Sequence, residues 1–457
     1  MKARTGTRIR SATGILAALG ATALLGASAS AGQPGRWTQI THAHVGARAN
    51  LGLARGGDGT LHVLWAGPAR PPFTAISDTP ISPSGQAGRP QTVISGWNSV
   101  QPPAAAAARD GSIHVVVSGQ KVNSNTDPLS GLNEAVGPGS WKLGPQAFGR
   151  YQLTVPSSAD VGAALLPDGR LVSVWRSAVT LLLQSGTDPS TQPQNITPTN
   201  DLVDNPVIAV NQRSGDAIVA FHSVKSGSAF LRRVLPSLGP PEAMPQAKTL
   251  GPTIAARAGG GVFTAYTPDG AKVWLLRFGG KPGSVPVPKG VRVLTAGVAA
   301  GPDGRLWVYY GDEQHTYVTR TGKAVSGYEP VQTLTSPPGT AQYFRLEGEG
   351  SAGPLDLFAD VTVDGKTRDG SYQTHVFPAL SLRVAKKATT TGVRVTVRVV
   401  DAGDPVAGAK VAGLPGGPKT TDASGSVVVT APAGKKGSFA LTATKAGYVA
   451  AKGRLSL

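Results

Sequence analysis

The stretch GLARGGDGTLHVLWAG, residues 52–67, reads as small apolar residues, a tight turn at Asp58-Gly59 and a strand that ends on Trp65. The phrase returns as AAARDGSIHVVV ending at Val117, AALLPDGRLVSVW at Trp175, IAVNQRSGDAIVAF at Phe221, IAARAGGGVFTAY at Tyr266 and VAAGPDGRLWVYY at Tyr310. A more distant seventh copy, FRLEGEGSAGPLDLFA, ends near Ala359. Each copy joins an apolar strand to a β-branched and aromatic one through an Asp-Gly or Gly-rich turn, where glycine supplies the positive φ of a tight hairpin.

The turn glycines, Gly59, Gly111, Gly169, Gly215, Gly260, Gly304 and Gly353, stand 44 to 58 residues apart. That is the length of a four-stranded propeller blade with its loops. Two positions after each glycine the residue is apolar (Leu61, Ile113, Leu171, Ala217, Val262, Leu306, Leu355), and six positions after most of them it is large (Trp65, Val117, Trp175, Phe221, Tyr266, Tyr310). Positions of equal parity share one face of a strand. One blade cannot bury that face alone; neighbouring blades packed face to face can, and radial closure hides the sheet edges. The pattern predicts an all-β chain with a seven-bladed β-propeller over residues 32–378, six blades being the alternative. RWTQIT (36–41) is expected to complete the final blade beside YQTHVF (372–377).

Further strands are expected at PQTVISGW (90–97), VTLLLQSG (179–186) and KVWLLRFGG (272–280). AAAAA (104–108) has the composition of a helix, but Pro102-Pro103 before it and Arg109-Asp110-Gly111 after it align it with the other copies as strand. After Pro378 the composition shifts to Val, Thr, Ala and Lys, and short strands separated by turns predict a small Ig-like β-sandwich over residues 379–457.

At the N-terminus, Lys2, Arg4, Arg8 and Arg10 precede an apolar stretch from Ile15 to Leu25 and the small residues Ala29-Ser30-Ala31. This is the pattern of a secretory signal peptide, residues 1–31, cleaved after Ala31. Its apolar core is shorter than the roughly 20 residues of a spanning helix. The expectation is a secreted or cell-surface monomer with no transmembrane segment after cleavage. The remaining 426 residues (457 minus 31) carry a formal charge of +14 (18 minus 4). The basic residues are dispersed and no basic block alternates with aromatics, so nucleic acid is not an expected partner. With no cysteine in the chain, disulfides, thiolate metal sites and cysteine nucleophiles are excluded. Sixty glycines, 37 prolines and only 15% charged residues suit short strands and tight turns and not a helical bundle.

The propeller copies resemble the sialidase-like, BNR-type propeller superfamily, in which a phrase close to P-x-I-A-x-x-x-D-G-x-L-H-V-V-W recurs once per blade. Pro102, Pro206 and Pro252, eight or nine residues before a turn glycine, extend the likeness over residues 37–378. The resemblance implies a propeller. Members that hydrolyse sialosides carry an arginine triad, a tyrosine nucleophile paired with a glutamate, an aspartate acid/base and S-x-D-x-G-x-x-W turns. Here the likeness is degenerate: EAVGPGSWKLG (134–144) keeps Trp141 but has Val136 and Pro138 where the aspartate and glycine belong, and the Arg-Ile-Pro segment of the first arginine is missing. It therefore implies architecture without catalytic residues. The C-terminal stretch resembles bacterial Ig-like or carboxypeptidase-regulatory-like modules through DPVAGAKV, TTDASGSVVV and ATKAGYVAA, which implies a spacer or display role.

His62 and His114 fall on the same position of consecutive copies, where later copies have Val172, Ile218, Phe263 and Trp307; a position open to all of these is a packing position. His42 and His44 lie two apart without a third ligand nearby, and His222, His315 and His375 are isolated. The sequence has no G-x-S-x-G elbow, no D-x-D-x-D-G calcium loop and no phosphate loop. No cofactor or metal is therefore expected. Asp58, Asp110, Asp168 and Asp303 precede turn glycines and read as turn formers. A functional surface is expected at the end of the channel where loops from all blades converge. There Arg176, His222, Asp312 and Glu313 are the binding candidates. The leading expectation is an exported, non-catalytic propeller that binds a glycan, a cell-wall polymer or a surface protein through its loop face. The alternatives are a secreted glycoside hydrolase or polysaccharide lyase of the sialidase-like type, favoured by arginines clustering with carboxylates and a tyrosine at one mouth, and a purely structural surface protein.

Overall fold

The computed structural model describes residues 35–41, 51–69, 73–121, 127–149, 160–198, 202–247, 251–337, 345–361 and 370–457. Residues 1–31, expected from the sequence to be a signal peptide, and His42 and His44 lie outside them. The described residues form strands and turns, with a single 3-10 turn at Pro302–Gly304 and no α-helix.

Between Thr38 and Val376 the described strands pair into seven antiparallel sheets, six of four strands and one of five. The repeated phrase supplies two adjacent strands of each. In chain order these are Gly52–Arg55 with Leu61–Pro68, Ala104–Ala107 with Ile113–Gln120, Val161–Leu165 with Leu171–Ser177, and Val203–Val210 with Ala217–Ser223. Thr253–Ala256 with Val262–Tyr266, Thr295–Ala300 with Leu306–Gly311, and Arg345–Glu349 with Leu355–Val361 follow. The first strands touch one another in chain order, and the last of them, Arg345–Glu349, returns to Gly52–Arg55. The arrangement is a closed, propeller-like ring. Thr38–Gln39 completes the last sheet, with Thr38 opposite Gln373 and Gln39 opposite Tyr372, where the sequence pattern expects it.

The turns work through their aspartates. Asp58 Oδ1 accepts the Thr60 N–H at 2.9 Å, Asp110 Oδ1 that of Ser112 at 2.9 Å, and Asp168 Oδ1 that of Arg170 at 3.0 Å. These bonds close the Asx turns that put the following glycines at positive φ. The apolar faces bury between sheets: Val172 and Val174 of one sheet share a core with Ile208 and Val219 of the next, and Val273 and Leu275 with Val298 and Val308.

At the axis, where seven strands converge, small residues are required. A methyl group on Gly162 would lie 3.1 Å from the Ile208 nitrogen, and one on Gly297 would lie 2.3 Å from the Tyr309 ring. The glycine leaves room for that ring.

From Ser381 to Ser456 the strands form two further sheets, around a separate core that includes Val395, Val397, Val399, Leu441 and Leu455. This C-terminal sheet pair meets the ring at a buried ionic cluster. Arg320 Nη2 lies 2.6 Å from Asp401 Oδ2, and Arg305 Nη2 lies 2.8 Å from Asp404 Oδ2. Tyr448 donates to Asp401 Oδ2 at 3.2 Å. Glu329 Oε2 accepts the Ala379 N–H at 2.8 Å and stands 4.0 Å from Arg320 Nε. Burial outweighs these partners and pushes the Glu329 carboxyl up to about 8.

Candidate functional site

The seven first strands enclose a central cavity of about 200 Å³. Its wall is built mainly of small or apolar groups, among them Leu53, Ala104, Ala163, Ile208, Ile254 and Val298, with Arg345 and Glu347 as its charged members. Polar groups gather at both ends of the channel: at the turn end Arg55 pairs with Glu349 and, at 2.6 Å, with Asp356, and at the end opposite the Asp-Gly turns a second set collects. The register puts them there: Val161 pairs with Trp175, which sets Asp160 and Arg176 at one end of their sheet; Asp204 pairs with His222, and Arg345 with Asp360.

Each of these carboxylates has a protein partner. Glu347 Oε1 lies 3.0 Å from Arg345 Nε, and Glu347 Oε2 accepts the Leu51 N–H at 2.8 Å. Asp160 Oδ2 accepts the Asn205 N–H at 3.3 Å, and Asp204 Oδ1 lies 3.0 Å from His222 Nδ1. Burial holds the Asp160 carboxyl above its usual range, against the opposing pull of Arg176 and, more weakly, of Arg345. Glu347 is raised in the same way, with burial outweighing Arg345. Tyr309 forms part of the cavity floor. Its hydroxyl donates to the Val298 carbonyl at 3.5 Å, and burial, reinforced by Glu347, pushes its pKa up.

Of the residues expected from sequence, Arg176 and His222 come to this mouth on adjacent sheets, beside Asp160 and Asp204. Asp312 and Glu313 do not join them. They line a separate recess of about 230 Å³ with Gly290, Arg292, Leu294 and Gln314. Asp312 there closes its own turn, accepting the N–H groups of Gln314 at 2.7 Å and His315 at 2.6 Å and the Tyr317 hydroxyl at 3.1 Å.

Sequence reasoning missed Asp160, Asp204, Arg345 and Glu347. The available signal was positional: Asp160 directly precedes the first strand of its copy, and the others lie on first strands, close to the mouth. It also missed the partners of the histidines. His62 Nδ1 lies 2.8 Å from Asp78 Oδ2, His114 Nδ1 2.6 Å from Glu134 Oε1, and His375 Nδ1 2.9 Å from Asp356 Oδ1. His62 is buried as a packing position requires, and it is also paired to a carboxylate on the neighbouring strand. Among the described residues no group of three or more side chains is placed to hold a metal ion, and no helix is long and apolar enough to cross a membrane.

No family model matches the chain, and no curated protein matches it by sequence. Among solved structures it is similar to an α-L-arabinanase of Penicillium chrysogenum complexed with arabinobiose, at 12% identity and a TM-score of 0.40, covering 66% of this chain and 94% of that one. It is also similar to a polysaccharide lyase, an ulvan lyase, at 11% identity and a TM-score of 0.44, covering 74% and 97%. A Hadza microbial sialidase matches at 9% identity and a TM-score of 0.39, covering 66% and 73%. Likenesses of this size assign neither ligand nor activity to the chain.

Proposed function

We propose that the seven sheets are the blades of a seven-bladed β-propeller, that residues 379–457 are an Ig-like module, and that the chain is an exported, non-catalytic binding or display protein. Its ligand is a glycan, taken at the mouth that bears Asp160, Arg176, Asp204, His222, Arg345 and Glu347. The observation that carries this reading is the contrast between wall and mouth: small, largely apolar groups line the channel, and planar charged groups held by protein partners rim one end of it. Such fixed donors and acceptors suit the paired hydroxyls of a sugar. Arginines and carboxylates do cluster here beside a tyrosine. Tyr309, however, donates to a main-chain carbonyl and has a raised pKa, the reverse of an activated nucleophile. The test is binding of residues 32–457 to glycan and peptidoglycan arrays beside Arg176→Ala and Arg345→Ala. Binding that both substitutions weaken ten-fold or more is expected. Absence of binding on every array, or binding that both variants retain, refutes the reading.

One observation favours a second reading, a hydrolase or lyase at the same mouth. Asp160 is held toward its protonated form next to Arg176, and Asp204 orients His222 one sheet away, so an acid and a base face one opening. Asp160→Asn separates the two. Release of reducing ends or unsaturated uronates by the wild type, abolished in the variant while binding persists, belongs to the enzyme. Binding without cleavage belongs to the display protein.

A further inference from the structure

The end of the ring opposite the proposed glycan mouth carries a different arrangement. The turn of the fifth sheet reads Arg257-Ala258-Gly259-Gly260-Gly261, and three arginines from three segments converge on its glycines. A methyl group on Gly259 would lie 2.8 Å from Arg257 Cζ, one on Gly260 3.8 Å from Arg213 Cδ, and one on Gly261 2.9 Å from Arg277 Nε. Arg213 comes from the turn of the preceding sheet and Arg277 from the end of a third strand. The bare triglycine turn is what lets these side chains lie over it, since a side chain at Gly259 or Gly261 would displace a guanidinium group.

The charges there are uncompensated. Arg257 donates from Nε to the Gly304 carbonyl at 2.5 Å and from Nη2 to the Lys323 carbonyl, both neutral acceptors. Among the described residues no carboxylate forms an ion pair with Arg213, Arg257 or Arg277. The acids nearby are committed elsewhere: Asp303 to Lys323 Nζ at 3.3 Å, Asp216 to the Ser214 hydroxyl at 2.6 Å, Glu242 to the Gly279 N–H at 3.2 Å, and Asp404 to Arg305. Burial, then the charges of Arg277 and Arg213, weaken the hold of Arg257 on its proton. An anion seated among the three relieves that repulsion.

We propose that Arg213, Arg257 and Arg277, over the triglycine turn, form a binding site for a phosphoryl group, separate from the glycan mouth and independent of that reading. Guanidinium forks match tetrahedral oxyanions in a way a lysine point charge does not. A phosphate monoester offers three terminal oxygens, and a diester two terminal and two ester oxygens, set tetrahedrally toward three forks, where a carboxylate offers two in one plane. Arg257, held by two carbonyls, serves as the fixed member, and the exposed Arg213 and Arg277 close on the anion.

The experiment titrates residues 32–457 with inorganic phosphate, with glycerol phosphate and with a poly(glycerol phosphate) oligomer. It is read by calorimetry and by the arginine Nε–Hε resonances. The expected result is saturable binding that Arg213→Ala and Arg277→Ala each weaken about ten-fold, the worth of one charge-assisted hydrogen bond. Arg277→Lys should weaken it nearly as much, because the fork is lost while the charge stays. Tight binding of the oligomer alone would identify the source as a phosphodiester polymer, and equal binding of the small anions would identify it as a free phosphate or monoester; either supports the site. Lys435→Ala with Lys436→Ala, in exposed positions of the C-terminal sheet pair, removes elsewhere the same two charges as Arg213→Ala with Arg277→Ala. A loss equal to that of the arginine variants would mean diffuse attraction to a basic protein and would overturn the proposal. So would absence of binding, or binding that Arg213→Ala with Arg277→Ala leaves intact. Arg176→Ala is expected to bind phosphate as the wild type does, which keeps failure here distinct from failure of the glycan reading.

Discussion

Replacing Glu329 by Gln tests the ionic cluster that joins the ring to the C-terminal sheet pair. The cluster holds two guanidinium groups, Arg305 and Arg320, against three carboxyl groups, Glu329, Asp401 and Asp404. It is neutral only when one carboxyl keeps its proton. Burial selects Glu329, only 2% exposed, whose pKa rises from 4.5 to about 8. Below pH 4.5 the folded and unfolded chains both hold that proton, and the group contributes no pH dependence. Between 4.5 and about 8 the folded chain holds a proton that the unfolded chain has released, so stability falls as pH rises, by up to about 1.4 kcal/mol per pH unit. Above about 8 both states are ionised and the loss, on the order of 3–5 kcal/mol, is complete. Glutamine keeps the shape, and its amide oxygen can still accept the Ala379 N–H. Glu329→Gln should therefore match the wild type near pH 4.5 and exceed it increasingly toward pH 8.5. Urea midpoints of both proteins across that range give the difference, in which every other titrating group cancels. A constant difference from pH 5 to 8.5 would refute the argument that this carboxyl is neutral in the folded protein.

Asp401→Asn removes the charge shared by Arg320, Arg305 and the Tyr448 hydroxyl; with Arg305 left to Asp404 and the buried Arg320 left to Glu329 at 4.0 Å, it should cost about 3–5 kcal/mol in urea unfolding at neutral pH. Asp404→Asn, at a more exposed carboxylate, should cost less than Asp401→Asn in the same assay. Gly297→Ala puts a methyl group 2.3 Å from the Tyr309 ring and should destabilise the ring of sheets by about 1–3 kcal/mol, read as a lowered urea midpoint; an unchanged midpoint would mean that the axis is loosely packed. Deleting residues 32–41 removes the Thr38–Gln39 strand, the Trp37 Nε1 bond to Thr335 at 2.6 Å and the Thr41 Oγ1 acceptor of the Ser371 N–H at 2.8 Å. It should lower the melting temperature and expose an edge that associates with concentration, seen by light scattering.

The two phrase strands of each sheet were legible because a strand buried between two neighbours must alternate with fixed parity and turn on a residue that tolerates positive φ. AAAA at 104–107 is the instructive case: its composition favours helix, and its place in the repeat made it strand. The outermost strands were harder to read. Gln194–Asn195 and Pro241–Ala243 are two and three exposed residues, so no pattern of buried side chains marks them. At the mouth, Arg176 and His222 could be found because each directly follows the aromatic residue, Trp175 or Phe221, of a recognisable strand. Asp160 could not, because its significance depends on Asn205 and on the ring bringing Arg345 into reach. The joint was invisible for the same reason, since Arg320 and Asp401 are 81 residues apart in the chain and neither belongs to a motif.

The loop-end mouth and the triglycine turn handle charge in opposite ways. At the loop end, carboxylates near the channel are matched to a cation or an N–H before any ligand arrives, so a ligand there must trade hydrogen bonds with groups already satisfied. That rewards a close geometric match and gives little to charge alone. At the triglycine turn, Arg213 and Arg277 are exposed and Arg257 meets neutral acceptors only, so an anion gains first from relieving their repulsion and then from matching their forks. Between the ends runs a channel of small, largely apolar groups with the Tyr309 ring in its floor, and even a four-residue strand such as Thr253–Ala256 spans about 13 Å, more than a Debye length at physiological salt. Two sites so separated, with no shared side chain, are expected to bind additively. Occupying one end should leave the affinity of the other within experimental error, and a coupling of more than a few tenths of a kcal/mol between glycan and phosphate would mean that the ring deforms as a whole.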